Sequence, residues 1–309
     1  MPSLDAVTGA FGYTGRHITK RLLASGQTVR TLTGHPDRPD PLREQVDVRP
    51  LDFDAIDQLT QDLQGVETLY STYWVRFAQG GLDHARAAEN LKRLFSAAER
   101  AGVRRVVHVS ITGASSDSPL PYFRGKGLVE EALHQSGLSH GIVRPALIFG
   151  DEDILLHNIA WIVRRLPFFP IFGDGTYRVQ PVHVDDLAEL AIQLGNEAET
   201  RTIDAVGPET YTFTALVERI AQAVNRRPKL VHVSPDVGFA LGRIGSMVTG
   251  DVLITRDEIR GLMADLLVSH ASPTAPTALG AWLDAHRATL GVQYVSEMKR
   301  HFDRPKHHT

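Results

Sequence analysis

Short apolar runs alternate with amphipathic stretches through the first half of the chain. The runs are rich in β-branched residues and predict buried strands. The stretches between them repeat their apolar residues every three or four positions, which predicts helices packed on a sheet. Strands are predicted over Asp5–Thr8, Thr28–Leu32, Val46–Leu51, Glu67–Ser71, Val103–Ser110 and Gly141–Pro145, and helices over Thr14–Ala24, Asp54–Leu63, Leu82–Arg100 and Tyr122–Gln135.

The pattern becomes less regular after Gly150. Prolines and glycines between Pro167 and Gly175 predict a loop-rich region. Beyond it we predict a strand over Thr202–Val206, helices over Thr212–Asn225 and Val237–Val248, and a connector over Ala271–Thr277.

The first predicted strand leads through three evenly spaced glycines, Gly9, Gly12 and Gly15, into a helix. In such a segment the first glycine permits a tight turn, the second lets the backbone approach a diphosphate, and the third lets helix and strand pack closely. The N–H groups at the N-terminus of the helix then bind the anion. The segment predicts a dinucleotide site, and ordinary turn glycines are the alternative.

Together these patterns predict an α/β fold, a Rossmann-type doubly wound parallel sheet with a smaller C-terminal substrate or cap region. We expect the dinucleotide-binding domain over residues 1–150. The cap is expected over residues 151–309, interleaved with the sheet rather than fully separate.

Composition excludes several classes of function. The 309 residues include no cysteine, which rules out disulfides, thiolate catalysis and cysteine–zinc sites. A net charge of −3 gives no reason to expect nucleic acid as a partner. His183 has no second histidine at ligand spacing, so no metal site is expected. Neither a secretory signal nor a membrane-spanning run is visible, and we expect a cytoplasmic protein.

Tyr122 and Lys126 lie four residues apart on a predicted helix and therefore share one face. A neighbouring ammonium group favours the phenolate, so Lys126 is expected to lower the pKa of Tyr122. Such a pair could exchange protons beside a nicotinamide. The alternative is a surface tyrosine with a solvated lysine.

Four segments occur in an order that resembles the extended or atypical short-chain dehydrogenases/reductases: Thr8–Gly15, His108–Ser110, Tyr122–Lys126 and Ile142–Pro145. The resemblance favours an NAD(P)-binding branch similar to the complex I accessory subunit. NmrA-like proteins and UDP-sugar epimerases are more distant. Arg256–Ile259 also resembles the accessory-subunit branch.

The resemblance implies roles for individual residues. Asp52 would bond the adenine amino group, Lys126 would hold the nicotinamide ribose, and Pro145 would bring backbone close to the nicotinamide. The remaining residues implied at the cofactor lie in the glycine turn and after the fourth strand: Gly9, Phe11, Gly12, Tyr13, Thr14, Gly15, Ser71, Thr72 and Tyr73.

The family's catalytic group combines the tyrosine and lysine with a serine or threonine. Tyr122 is then the acid/base, and Lys126 tunes it. The place of the third member is taken by Ile111, between Ser110 and Thr112. Either hydroxyl could substitute for the missing one, and the sequence does not choose between them.

The second predicted strand bears on the choice of cofactor. An acidic residue at its end would bond the ribose 2′-hydroxyl of NAD, whereas a basic group accommodates the 2′-phosphate of NADP. No acid stands at this strand end, and His35 and Arg38 follow. The sequence therefore favours NADP(H), with NAD(H) as the alternative.

Two further segments carry open alternatives. Trp74, Arg76 and Phe77 either overlook the substrate crevice or belong to the core. Ile154–Phe172 has a helical apolar stripe that is either core or a docking surface for a partner protein or a membrane.

The leading hypothesis is an NAD(P)(H)-dependent oxidoreductase that transfers hydride between nicotinamide and a small carbonyl or alcohol substrate. One alternative is an NADPH-binding scaffold or redox sensor without turnover, similar to the complex I accessory subunit or to NmrA-like proteins. The other is a nucleotide-sugar epimerase.

Overall fold

The computed structural model describes residues 3–78, 80–296 and 298 of the chain. The elements up to Pro145 are β1 (Leu4–Thr8), α1 (Tyr13–Ala24), β2 (Thr28–Thr33), β3 (Asp47–Pro50), α2 (Ile56–Asp62), β4 (Val66–Ser71), α3 (His84–Ala101), β5 (Arg105–Val109), α4 (Pro121–Gln135) and β6 (Ser139–Pro145).

The elements that follow are β7 (Leu147–Phe149), α5 (Leu155–Arg165), β8 (Phe168–Phe172), β9 (Arg178–Val179), β10 (Pro181–His183), α6 (Val184–Asn196), β11 (Arg201–Ala205), β12 (Tyr211–Thr212), α7 (Phe213–Ala223), β13 (Lys229–Val233), α8 (Pro235–Thr249), α9 (Arg256–Met263) and α10 (Leu279–Ala285).

A seven-stranded parallel sheet organises the described residues, in the order β11-β6-β5-β4-β1-β2-β3. Helices connect successive strands except β2 and β3, which a loop with one short 3-10 turn joins, and the order reverses between β1 and β4. This confirms the predicted Rossmann-type α/β fold. Because all strands are parallel, their carboxyl ends meet at one edge, where such folds bind their ligands.

Apolar side chains cover both faces of the sheet. On one face Val7 packs with Ile18 of α1 and Leu187 of α6, and on the other Ala6 packs with Leu94 of α3. A parallel sheet needs this double cover because both faces carry side chains that are removed from water.

The region after Gly150 has its own apolar core and also contributes to the sheet. β11 pairs with β6 at the sheet edge, and α6 packs on α1. The expectation of a loop-rich stretch over residues 167–175 is partly wrong, because β8 forms a parallel pair with β13 there. The predicted connector at Ala271–Thr277 contains no helix or strand.

The apolar stripe of Ile154–Phe172 is mostly core. Leu156, Ile159 and Val163 of α5 are buried in the cluster of the second half. Leu166 and Phe168, at the end of the stripe, remain exposed. In the part of the chain that the structure describes, every helix is too short or too polar to cross a bilayer. The last residues of the expected cap, 299–309, lie outside the described ranges.

Candidate functional site

The glycine turn links β1 to α1 with almost no free space. A Cβ atom on Gly15 would lie 2.3 Å from the carbonyl oxygen of Gly9, and one on Gly12 would lie 3.2 Å from the same oxygen. Gly9 has φ of +70°, which side chains disfavour. The turn therefore depends on glycine for close packing at Gly15 and for backbone conformation at Gly9.

The N-terminus of α1 fits an anionic group. Gly12 caps it with extended backbone, no side chain of the described residues bonds to the cap, and its first turn contains no acid. The unpaired N–H groups and the dipole of a helix favour negative charge at this end. The chain's own residues thus fit the diphosphate that the sequence predicts.

Other residues of the turn are held by the protein itself. Phe11 is buried in the core, so its side chain is not available to a cofactor. The ring of Tyr13 meets His17 edge-on, and its hydroxyl occupies the space beside Gly150. Thr14 is partly buried in the first turn of α1. Contacts from Phe11 to a cofactor could come only from its backbone.

The turn after β2 carries His35 and Arg38, the two basic residues predicted beside the cofactor. The His35 N–H donates to the Thr33 hydroxyl, and the Arg38 N–H donates to the His35 carbonyl. His35 is exposed and Arg38 is partly exposed. The compact turn thus keeps both basic side chains beside the end of β2.

The residues after β4 are tied to the end of β1. The Thr8 hydroxyl accepts the N–H groups of Thr72 and Tyr73, and the Thr72 hydroxyl donates to the Thr8 carbonyl. Ser71 is buried, and its hydroxyl lies 3.3 Å from Nδ1 of His108. Thr72 therefore lies beside the glycine turn, whereas the Ser71 side chain faces the sheet interior.

Three residues implied at the cofactor have partners within the chain. Tyr73 packs its ring on Phe53 and accepts a hydrogen bond from Asn90. Asp52 is exposed beyond β3, where its carboxylate accepts the Asp54 N–H. Pro145 is buried at the end of β6. None of these contacts tests the adenine or nicotinamide roles, which stay predictions.

Lys126 is buried and forms no salt bridge with any residue that the structure describes. Its ammonium donates to the Val109 carbonyl at 2.8 Å and lies 4.4 Å from the centre of the Trp74 ring. Burial lowers the pKa of Lys126 to about 7, opposed by the negative charge of Glu130. That carboxylate is itself bonded to Arg144. A carbonyl dipole and an aromatic face, rather than a paired carboxylate, hold this amine.

Tyr122 lies in an aromatic cluster one turn before Lys126. Its ring meets Trp74, His84 and Phe123 edge-on, with centres 5.3 to 5.9 Å apart. Burial raises the pKa of Tyr122 above its usual range, and the negative charge of Glu258 adds to the effect. This differs from the expectation that Lys126 lowers the pKa, because desolvation of the phenolate dominates.

The two candidate hydroxyls differ in their partners. Thr112 donates to the Leu266 carbonyl at 2.8 Å. The Ser110 hydroxyl is buried and has no hydrogen-bond partner among the described residues. A buried hydroxyl without a partner costs free energy, and such groups are retained where a ligand can bond to them. The geometry therefore favours Ser110 over Thr112.

Arg76 is neutralised by the chain itself. Its guanidinium forms an ion pair with Glu258 and donates to the Leu253 carbonyl. Phe77 is buried beneath this guanidinium, 5.7 Å from ring centre to Cζ. An anionic ligand would have to compete with Glu258 for Arg76.

Sequence reasoning assigned no role to His84 or Glu258. His84 begins α3, stacks on Trp74 at 6.0 Å, and has a buried Nδ1 with no partner within the described ranges. Glu258 closes a capping box with Thr255 at the start of α9. The pattern Thr255-x-x-Glu258 predicts that cap, but nothing local to it points to Arg76.

Comparison with known proteins agrees with this geometry. Residues 9–156 match the NAD(P)H-binding family. The mitochondrial NADH dehydrogenase (ubiquinone) 1 alpha subcomplex subunit 9 of Arabidopsis thaliana is 28% identical over 285 residues, covering 85% of this chain and 70% of that protein. The ceramide reductase of Caulobacter vibrioides is 28% identical over 247 residues, covering 76% of this chain and 74% of that protein.

Residues 9–156 therefore fit the NAD(P)H-binding family. The chain is homologous to the complex I subunits, which confirms the resemblance to the accessory-subunit branch found in the sequence. The plant relative is named as mitochondrial, so a cytoplasmic location stays a prediction.

Solved structures share the fold of this NAD(P)-binding protein. The NADPH-dependent quinone oxidoreductase of Escherichia coli superposes with a TM-score of 0.74 at 21% identity, covering 92% of this chain and 99% of that one. The nucleoside-diphosphate-sugar epimerase of Staphylococcus aureus gives 0.72 at 18% identity, covering 91% and 99%. At these identities the likeness shows the fold alone.

The close packing at Gly15 predicts a sharp effect on cofactor binding. In Gly15→Ala the added Cβ would meet the Gly9 carbonyl at 2.3 Å, so the turn must move away from α1. We expect NADPH affinity, measured by calorimetric titration, to fall at least tenfold, or about 1.4 kcal/mol. The control is Gly137→Ala, whose Cβ meets only the flexible end of Glu99. Equal affinity in both variants would contradict the assignment.

The buried amine of Lys126 predicts a pH-dependent stability. Between the folded pKa of about 7 and the ordinary value of 10.5, the unfolded chain binds a proton that the folded chain does not. The free energy of unfolding should therefore rise with pH, by at most about 1.4 kcal/mol per unit. Below pH 7 both states are protonated and the penalty is constant.

Urea unfolding of wild type and Lys126→Met between about pH 7 and pH 9 measures this contribution. Lys126→Met should lack the rise, and the exposed Lys20→Met should keep it. Parallel profiles for wild type and Lys126→Met would show that the amine is not desolvated as described.

Proposed function

We propose that the protein is an NADP(H)-dependent oxidoreductase that interconverts a carbonyl group and its alcohol. The observation that carries the proposal is that buried Lys126 donates to the Val109 carbonyl, next to the unpartnered Ser110 hydroxyl, and shares the Trp74 ring with Tyr122. The glycine turn lies beyond the carboxyl end of β1 in the same sheet. A dinucleotide resting on that turn can therefore extend along this edge toward Tyr122.

When bound, the reduced nicotinamide would supply a hydride to the carbonyl carbon. Tyr122 donates its hydroxyl proton to the carbonyl oxygen as the C–H bond forms and the C=O π bond breaks. The phenolate then recovers a proton from solvent. Since the pKa of Tyr122 is raised, the phenol is protonated at neutral pH, which favours its work as an acid in the reductive direction.

The neighbouring side chains would assist this transfer. Ser110 can donate its free hydroxyl to the same carbonyl oxygen and orient it. As the resemblance implies, Lys126 would hold the nicotinamide ribose. In its protonated form the ammonium would also stabilise the Tyr122 phenolate that proton transfer leaves.

NADP(H) is favoured over NAD(H) by the turn after β2. His35 and Arg38 flank the strand end, where a 2′-phosphate would need positive charge, and no acid occupies that end. Two proteins named above support a reductive role: the Caulobacter ceramide reductase and the NADPH-dependent quinone oxidoreductase.

A cofactor-binding scaffold without turnover is the second candidate. It is favoured by Ile111 at the place of the family's serine and by the Trp74 ring, which covers the ammonium of Lys126. Homology to complex I subunits is also consistent with such a role and with partner proteins. A wild-type protein that binds NADPH but oxidises it with none of a panel of carbonyls, quinones and enones would favour this candidate.

Replacing the phenol tests the enzyme assignment directly. Tyr122→Phe should bind NADPH with unchanged affinity yet lose at least a hundredfold in kcat with any carbonyl that the wild type reduces, because general acid catalysis is removed. Loss of reduced nicotinamide absorbance follows turnover, and titration follows binding. The matched control is Tyr211→Phe, outside this site. Unchanged turnover in Tyr122→Phe would remove the phenol from the mechanism.

A paired comparison decides between the two hydroxyls. Ser110→Ala should lower kcat at least tenfold with little change in stability, because its hydroxyl has no partner to lose. Thr112→Val should lower stability by about 1 kcal/mol, because it removes the bond to the Leu266 carbonyl. Thr112→Val should also retain kcat. The reverse pattern of kcat values would assign the role to Thr112.

A further inference from the structure

One face of the C-terminal region combines exposed apolar residues with unpaired cations. It is formed by the connection from α5 to β8 and by the loop that connects α7 to β13. We call it the basic face, and its members are Arg164, Arg165, Leu166, Phe168, Arg226, Arg227, Lys229 and Val292.

The contacts show that these residues form one surface. The Lys229 N–H donates to the Pro167 carbonyl at 2.8 Å, which places Lys229 opposite Phe168 in the β8–β13 pair. The pKa of Arg164 is lowered by burial and then by the positive charges of Arg226 and Arg165. The cations of both segments are thus close enough to repel one another.

Carboxylates do not neutralise this charge within the described residues. The Arg164 and Arg165 guanidinium groups donate to backbone carbonyls of the turns that follow α10. Arg226, Arg227 and Lys229 are exposed, and none of them forms an ion pair with another described residue. Glu218 lines a shallow groove with two of these arginines but pairs with neither.

Some exposed cations elsewhere in the chain are paired with carboxylates. Arg100 pairs with Asp57 at 2.7 Å, and Arg104 pairs with Glu67 at 3.0 Å. The chain as a whole carries a net charge of −3. The positive charge of the basic face is therefore a local feature and is opposite in sign to the whole protein.

Large apolar side chains stand among the cations. Leu166, Phe168 and Val292 are 44%, 45% and 48% exposed. A leucine and a phenylalanine next to arginine and lysine match the composition of surfaces that enter the headgroup region of a bilayer, where the apolar groups insert and the cations bind phosphates.

We propose that the basic face binds the surface of an anionic phospholipid bilayer. Leu166 and Phe168 would enter the boundary between headgroups and acyl chains, while the cations contact lipid phosphates. The proposal is independent of the proposed oxidoreductase activity, since no residue of the basic face belongs to the nicotinamide site.

The composition favours a bilayer over an acidic protein as the occupant. The fully buried centres of protein interfaces are depleted in charged residues as a class. The basic face instead exposes Arg165, Arg226, Arg227 and Lys229, and no carboxylate of the described residues pairs with any of them. The phosphates of a bilayer surface are mobile, so they can bind these cations without a fixed geometry.

Cosedimentation of the full chain with vesicles tests the proposal. The probes are vesicles of phosphatidylcholine alone and vesicles in which a third of the lipid is phosphatidylserine. We expect binding to the second kind only, weakening as salt is added. Removing three cations in Arg226→Gln/Arg227→Gln/Lys229→Gln should lower partitioning about a hundredfold, at about fivefold for each charge.

The matched control removes three cations from another face, in Lys92→Gln/Arg100→Gln/Arg104→Gln. It changes the net charge equally and should bind vesicles almost as well as wild type. Leu166→Ser should lower partitioning about tenfold, because it deletes an inserted side chain. Thermal unfolding checks that each variant is folded.

Two results would overturn the proposal. One is a wild-type protein that fails to prefer phosphatidylserine vesicles, as expected if the basic face serves an acidic protein. The other is an equal loss of vesicle binding in the two triple variants, which would show that net charge alone drives association. NADPH titration of the same samples keeps these outcomes separate from failure of the oxidoreductase assignment.

Discussion

The close approach of α1 to β1 positions every other part of the candidate site. It requires that Gly15 lack a Cβ, because that atom would lie 2.3 Å from the Gly9 carbonyl. The hydroxyl of Thr8, just before this turn, accepts the N–H groups of Thr72 and Tyr73 and so fixes the segment after β4. Trp74, the next residue in that segment, packs its indole against the ammonium group of Lys126. A small displacement of the turn would therefore reach the far end of the cofactor site.

Desolvation determines the protonation states in this site. Lys126 has lost its water but has no paired carboxylate, since Glu130 is bonded to Arg144. The amine consequently titrates near neutral pH, whereas Tyr122 is protonated well above it. A buried, incompletely compensated cation favours the binding of an anion nearby. The same desolvation that destabilises the buried ammonium thus favours an anionic dinucleotide.

Local patterns predicted the sheet, the glycine turn and the shared face of Tyr122 and Lys126, because each depends on residues close in sequence. β8 was not predicted because its prolines and flanking glycines resemble a loop, and its strand geometry depends on pairing with the distant β13. The ion pair of Arg76 with Glu258 joins residues 182 positions apart. Such a contact depends on how the C-terminal region packs against the first half of the chain. The spacing of residues close in sequence cannot predict it.

The C-terminal region also determines which hydroxyl is free for chemistry. Ser110 and Thr112 flank Ile111 symmetrically in sequence, and nothing around them distinguishes the two. The difference arises from the segment after α9, whose Leu266 carbonyl accepts the Thr112 hydroxyl. Without that segment Thr112 would lose this hydrogen bond, and the two hydroxyls would no longer differ in this partner. The cap therefore engages Thr112 and, through Glu258 of the α9 capping box, Arg76, and it leaves Ser110 as the hydroxyl without a partner among the described residues.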